Sequence, residues 1–113
     1  MDEKEMLKAI VDSYPAPIVF VDNDYIIRFL NRLAKERFHQ DMEHPALLGK
    51  SIFDCHNPHS IEKIKFGYTQ VQKDGKPFPV GVNHHNENTY IQGVTNHLGE
   101  YIGFFELCIP KNK

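Results

Sequence analysis

No stretch of this 113-residue chain approaches the ~18 consecutive apolar residues that a membrane-spanning helix needs, so no membrane partner is expected. Runs of lysine or arginine are also missing: 13 basic against 15 acidic residues leave a formal charge of −2. That balance gives no electrostatic footprint for nucleic acid. Cysteine is scarce. Cys55 and Cys108 lie far apart, and the start Met1-Asp2-Glu3-Lys4-Glu5 is charged where a secretory signal would be apolar, which predicts free thiols in a reducing cytoplasm. There is no Gly-x-Ser-x-Gly elbow, P-loop or dinucleotide fingerprint, and no catalytic activity is expected. Internal repeats, linkers and low-complexity segments are absent too. The length therefore predicts one domain with one core, burying roughly 65% of its unfolded surface.

What the chain does contain is a regular succession of elements. Asp2 and Glu5 have the form of a capping box, and Met6, Leu7, Ile10 and Val11 recur behind them at helical spacing. This predicts an amphipathic helix over residues 3–13, stopped by Pro15 and Pro17. Ile18 to Val21 and Tyr25 to Leu30 read as two strands joined by the turn residues Asp22-Asn23-Asp24. Asn31 can cap the next helix, whose apolar face carries Leu33, Ala34 and Phe38. From His39 to Leu48 the pattern weakens into short turns or a one-turn helix leading to Gly49. Asn57-Pro58 then reads as an N-cap followed by a first helical residue, and the helix runs to about Lys73 with Ile61, Ile64, Tyr68 and Val71 in one stripe. Gly67 inside it marks either a close approach by a neighbour or a plain surface position. After Asp74-Gly75-Lys76 come three strands, near 78–84, 89–96 and 101–109, separated by Asn86-Glu87-Asn88 and Leu98-Gly99-Glu100. Phe78, Val80, Val82 and His84 should share one face, and Tyr101, Phe105, Leu107 and Ile109 another. The order predicts an α+β fold, helices segregated to one side of a five-stranded antiparallel sheet.

Soft ligands concentrate in Cys55-His56-Asn57-Pro58-His59-Ser60, at the start of the long helix, where the partial positive charge favours anions or thiolates. A metal site from Cys55, His56, His59 and Cys108, or a small redox or metal-dependent enzyme built on the first three, is one reading. The other is a buried thiol, one packed imidazole and one solvated. Adjacent residues rarely align as nucleophile and base, which favours the second. His84-His85 with Glu87 is the other titratable cluster; as strand neighbours the two imidazoles should point to opposite faces.

The stretch from Pro17 to Ala34, Leu48-Gly49-Lys50-Ser51 and Leu98-Gly99-Glu100-Tyr101-Ile102-Gly103 together resemble the PAS domain, matching its opening hairpin with an Asp turn, the asparagine that starts the next helix, its Gly-Lys segment and its final hairpin. Residues 1–14 would then be an N-terminal helix that caps or dimerises, and 15–113 the domain. Cys55 to Ser60 with Gly99 to Glu106 is similar, more narrowly, to the PAS-like domain of bacterial proteins that also carry hemerythrin-type modules. Here Asn57 stands where that pattern has proline. The resemblance implies a non-catalytic sensory or signalling module with a small-ligand pocket between sheet and short helices, and a signalling partner in trans. Phe20, Phe29, Phe53, Cys55, His56, His59, Tyr68, Val80, Tyr90 and Phe105 are the expected lining. Some relatives bind haem through a histidine on or near the long helix, which would make His56 or His59 the ligand. Strands apolar on both faces need cover on both. Met6, Leu7, Ile10 and Val11 form a stripe too short to shield the outer face alone, so a homodimer is expected.

Overall fold

Asp2 opens the first helix by accepting a 2.7 Å hydrogen bond from the Glu5 amide, and α1 runs Glu3–Ser13 before Pro15 and Pro17 turn the chain. The computed structural model describes residues 1–42, 47–55 and 58–111, without the side chains of 39–42 and 55. The expected turn around Pro45 and the Asn57 cap lie outside the described residues.

Strands β1 (Val19–Asp22) and β2 (Ile27–Leu30) form the predicted hairpin. Asp22 closes it: Oδ1 accepts from the amides of Asp24 and Ile26 at 2.9 and 3.0 Å, and Oδ2 from Arg28 Nε at 2.7 Å. An aspartate that bonds its own downstream amides does the work of a backbone turn. Helix α2 spans Arg32–Met42, past the point where its apolar spacing fades at His39, because no helix breaker stands before Pro45.

Asn31 joins these pieces. It is 0% exposed, and its Oδ1 caps α2 through the Ala34 amide at 3.0 Å while also accepting from the Ile18 amide at 2.9 Å. Its Nδ2 donates to the carbonyls of Val11 (3.0 Å) and Ala16 (2.9 Å). One side chain thus ties the last turn of α1, the segment after it, the entry to β1 and the start of α2. Asp12 adds a second tie by accepting from the Arg32 amide at 3.0 Å. The rest of α1 is free of the core: Met6, Leu7 and Ile10 are 46%, 50% and 58% exposed.

Residues 47–52 run along the edge of β2. Ile27 N donates to Lys50 O (2.9 Å), Gly49 N donates to Ile27 O (2.7 Å), and Ile52 N donates to Tyr25 O at 3.0 Å. This stitching covers an otherwise open sheet edge and leads into a 3-10 turn at Ile52–Cys55. Helix α3, Pro58–Asp74, then crosses the sheet. A Cβ on Gly67 would sit 2.7 Å from Ile91 Cδ1 and from Phe78 Cδ2, so the mid-helix glycine is a site of close helix-on-sheet approach.

Strands β3 (Phe78–Val82), β4 (Glu87–Thr95) and β5 (Tyr101–Pro110) complete a five-stranded antiparallel sheet in the order β2-β1-β5-β4-β3. The helix-facing side buries Val21, Ile27, Ile91 and Phe104 against Ala34, Ile52, Tyr68 and Val71. Three register shifts correct the simple alternation expected from sequence, and the one between Phe20 and Val21 sets Ile27 and Phe29, two apart in β2, on opposite faces. In β3 the register slips between Pro79 and Gly81, so Val82 no longer shares a face with Phe78 and is exposed. In β5 it slips opposite Val94 and Thr95. Tyr101 consequently turns to the helices, not to the face of Phe105, and its hydroxyl donates to Val71 O at 3.3 Å. An extra residue in one strand reverses the parity of everything beyond it.

Arg37 of α2 holds Glu87 at the start of β4 at 2.7 Å, and Asn83 Nδ2 donates to the same carboxylate at 2.9 Å. The Arg37 hydrogen bond, more than the opposing effect of burial, keeps the Glu87 carboxyl below its ordinary range. This bridge pins α2 over the open end of the sheet.

Candidate functional site

Between the sheet and the helices lies a cavity of about 250 Å³. The sheet contributes Val19 and Val21 of β1, Ile27 of β2, Ile91 of β4, and Phe104 and Glu106 of β5; Phe38, Leu47, Ile52 and Ile64 close it from the helix side. The strand register explains this lining. Val21 faces Ile27 and Phe104, and Ile91 faces Glu106, so all five lie on one side of the sheet. The edge stitching of residues 47–52 brings Leu47 and Ile52 in. Glu106 is the one charged residue of the described lining and is exposed.

Beside Glu106, two residues along the same strand face, Cys108 is buried, with Sγ 3.8 Å from Glu106 Oε1. Burial, then the negative charges of Glu106 and Glu87, push its thiol up to about 12. It stays protonated at neutral pH and is therefore neither a nucleophile nor a thiolate ligand. On the other flank Tyr68 packs against Phe104 with ring centroids 4.7 Å apart and donates to Asn23 Oδ1 at 2.6 Å. Burial, together with the neighbouring Tyr25 and Tyr101, pushes its hydroxyl up to about 12. Tyr68 is thus a structural donor.

The residues expected from sequence fall in different places. Phe20 pairs with Phe29 and Phe105, and Tyr90 with Leu107, which sets Phe20, Phe29, Tyr90 and Phe105 on the outer face, away from the cavity. Phe53 stacks on Tyr25 at 4.8 Å with Lys65 Nζ 5.0 Å from its ring centre. Val80 sits in the β3 bulge. Phe53, Tyr68 and Val80 all support the core without lining the cavity. His59 is exposed in the first turn of α3. His56 and the side chain of Cys55 lie outside the described residues. His84 and His85 are in the turn after β3, with exposed rings 4.3 Å apart, so the opposite-face expectation fails because the strand has already ended. Among the described residues no three His, Cys, Asp or Glu side chains gather as a metal site, and no helix is long and apolar enough to cross a membrane. The described lining also holds no histidine, cysteine, methionine or tyrosine, the residue types that ligate haem iron. The described residues do not fit a haem.

Sequence reasoning missed the lining because β1 and β2 are apolar at nearly every position and carry no parity signal. Glu106 was the available clue: a charge between Phe104 and Cys108 on an otherwise apolar strand face.

A sheet in this order, helices on one face and a side-wall cavity between them define an α+β cavity domain. The chain belongs to the PAS domain family, whose profile matches residues 7–108. Comparison with curated proteins finds no match. Among solved structures the fold is similar to a C-terminal domain from Streptococcus mutans, with a TM-score of 0.73 and 19% identity over 95% of this chain and 84% of that one. It is also similar to a sensory box sensor histidine kinase from Vibrio cholerae, with a TM-score of 0.64 and 16% identity over 96% and 91%. A third is a dual PAS-heme oxygen sensor receptor from the same organism, with a TM-score of 0.59 and 16% identity over 82% and 91%.

Proposed function

We propose that this chain is a non-catalytic sensory module of the cytoplasm that binds a small, mainly apolar ligand and signals to a partner protein in trans as a homodimer. The observation that carries the reading is the cavity: among the described residues, nine apolar side chains and one carboxylate around about 250 Å³. That volume is at the small end for ligand sites. The sensor kinase and the oxygen-sensing receptor with the same fold support the signalling role, and the likeness of Cys55 to Ser60 to the hemerythrin-linked group belongs to the same reading. A haem-based version would need His56 or His59 to act outside the described lining, and the cavity favours a smaller ligand.

Propylbenzene is a suitable probe. It should bind the purified protein in calorimetry and raise its melting temperature, while Ile64→Phe, which fills the space from α3, should abolish binding and leave the fold intact. Absence of binding by the unaltered protein would count against a ligand-holding cavity.

The homodimer rests on α1 and the outer sheet face. Met6, Leu7 and Ile10 are exposed on the helix, and Ile109 on β5, next to the half-buried row of Phe20, Phe29, Phe105 and Leu107. Apolar surface of this extent is uncommon on a monomer, and a two-fold copy covers it without leaving an open end. Light scattering should give a dimeric mass at micromolar concentration, and Leu7→Glu with Ile10→Glu should give a folded monomer. A monomeric mass for the unaltered protein at high micromolar concentration would exclude this arrangement.

A further inference from the structure

Tyr25 stands in a backbone conformation that its side chain makes costly. Its φ is +63, and among the described residues Asn86 is the other non-glycine with a positive φ; asparagine visits that region readily, whereas tyrosine seldom does. Glycine would hold the same turn without strain. Two backbone bonds fix the residue there: its amide donates to Asp22 O at 2.9 Å, and its carbonyl accepts from Ile52 N at 3.0 Å. What tyrosine adds is a ring. That ring lies between Phe53, with centroids 4.8 Å apart, and Phe104, 5.9 Å away and edge-on, and it meets the edge of Tyr68 at 6.4 Å. Burial raises the pKa of its hydroxyl, so the far end of the side chain is shielded too. A strained backbone persists where the surrounding packing outweighs it, and here the packing is aromatic.

We infer that Tyr25 sets the length of ligand this cavity accepts, as a positioning residue that acts through Phe104. The inference rests on the reading of the cavity as a ligand site and names what limits it. Phe104, Ile52 and Ile27 all belong to the described lining. Tyr25 backs the first with its ring, is bonded to the second through its carbonyl, and precedes the third by two residues. Its ring fills the space into which Phe104 would otherwise tilt, and the cavity ends at Phe104. Size follows from volume. A cavity of about 150 Å³ takes benzene, so one of about 250 Å³ takes a single ring with a short chain but not two rings. Without the Tyr25 ring, Phe104 can move into a gap of about one benzene, and a two-ring hydrocarbon fits. A compact single-ring or branched-alkyl body is therefore the class that the present cavity selects.

Propylbenzene and diphenylmethane, titrated by calorimetry into the full chain and two variants, test this. The unaltered protein should bind propylbenzene at least about tenfold more tightly than diphenylmethane, although the second buries more apolar surface wherever it fits. Tyr25→Gly, which removes the ring and relieves the backbone, should reverse that order and bind diphenylmethane at least about tenfold more tightly than the unaltered protein does, the scale of one newly buried ring. Tyr25→Leu keeps an apolar side chain in the core and should narrow the preference without reversing it; it decides the matter if Tyr25→Gly does not fold. A reversed preference is a readout that a merely structural role would not produce. If propylbenzene binds the unaltered protein but neither variant gains diphenylmethane, or if the unaltered protein already binds both probes equally, the assignment to Tyr25 fails and the cavity reading survives. Loss of both probes in a folded variant, or failure of both variants to fold, would make Tyr25 a plain core residue and overturn the assignment as well. If propylbenzene does not bind the unaltered protein, both readings fail together.

Discussion

Replacing Asn31 by alanine should lower the stability of this protein by about 4 kcal/mol, enough to move its melting temperature by roughly 16 °C or more. Four hydrogen bonds disappear at once: those with the amides of Ile18 and Ala34 and the carbonyls of Val11 and Ala16, all between 2.9 and 3.0 Å. Loss of the α2 cap alone accounts for about 1 kcal/mol. The remainder comes from leaving the Ile18 amide and the Ala16 carbonyl without the Asn31 side chain, each worth about 1–3 kcal/mol, at a side chain that solvent does not reach; Val11 O keeps its bond from the Tyr14 amide at 3.2 Å. Local release of α1 should accompany the global loss, because the Asn31 bond to Val11 O ties that helix to the fold beside the Asp12–Arg32 bond. Amide exchange in residues 8–14 should therefore accelerate more than in β4.

Asn31→Asp makes the assignment specific. The carboxylate keeps the acceptor for Ile18 and Ala34 but loses both donors and faces the Val11 and Ala16 carbonyls with a negative charge. Burial and those carbonyls raise its folded pKa above the unfolded value of about 4. The native state then binds more protons than the unfolded one between those two values. Stability should thus be greatest at low pH and fall as pH rises through the folded pKa. Thermal melts at several pH values would show this. A melting shift under about 5 °C for Asn31→Ala, or no pH trend for Asn31→Asp, would mean that water replaces the side chain and that Asn31 is not the junction described.

Gly103→Ala carries the second large effect, on the join between the two halves of the sheet. Gly103 pairs with Asp22 of β1 and Val94 of β4 at φ +154, a conformation that residues with a Cβ rarely adopt. An added Cβ would collide with the Val21 carbonyl and lie 2.8 Å from Phe20 Cζ. The first neighbour is backbone and cannot rotate away, so β1 must separate from β5 where Val21 and Phe104 line the cavity. A loss of about 3 kcal/mol, roughly 12 °C in melting temperature, is expected, with weakened propylbenzene binding in what stays folded. Gly99→Ala is the control. That glycine has φ +82, but no atom lies within 4 Å of its added Cβ, so only turn strain of about 1 kcal/mol applies. Equal effects at the two positions would show that backbone conformation, not contact with β1, sets the requirement for glycine.

Much of the architecture was local and therefore legible in the residues. Asp2 with Glu5, Pro15 with Pro17, the Asp22 turn, the Asn31 cap and the Asp74-Gly75 stop act within a few positions of themselves, and each appears where its chemistry predicts. Their order was enough to reach the PAS family. Asn31 was read only as a helix cap, however; that the same side chain also holds Ile18, Val11 and Ala16 depends on segments up to 20 residues away meeting at one point.

The cavity lining depended wholly on such meetings. Phe20, Phe29, Tyr90 and Phe105 look like pocket residues because they are large and apolar, but which face a strand residue occupies is fixed by its partner across the sheet. In β1 and β2 both faces are apolar, so composition cannot choose between them. Bulges then reverse the parity of Val82 and Tyr101 without any mark in the spacing of apolar residues. The sequence by itself determined the elements, their order and the family, because caps, turns and breakers are short-range. Only the tertiary structure decided that Val21, Ile91, Phe104 and Glu106 enclose the site, because strand register is a long-range property set by pairing between distant segments.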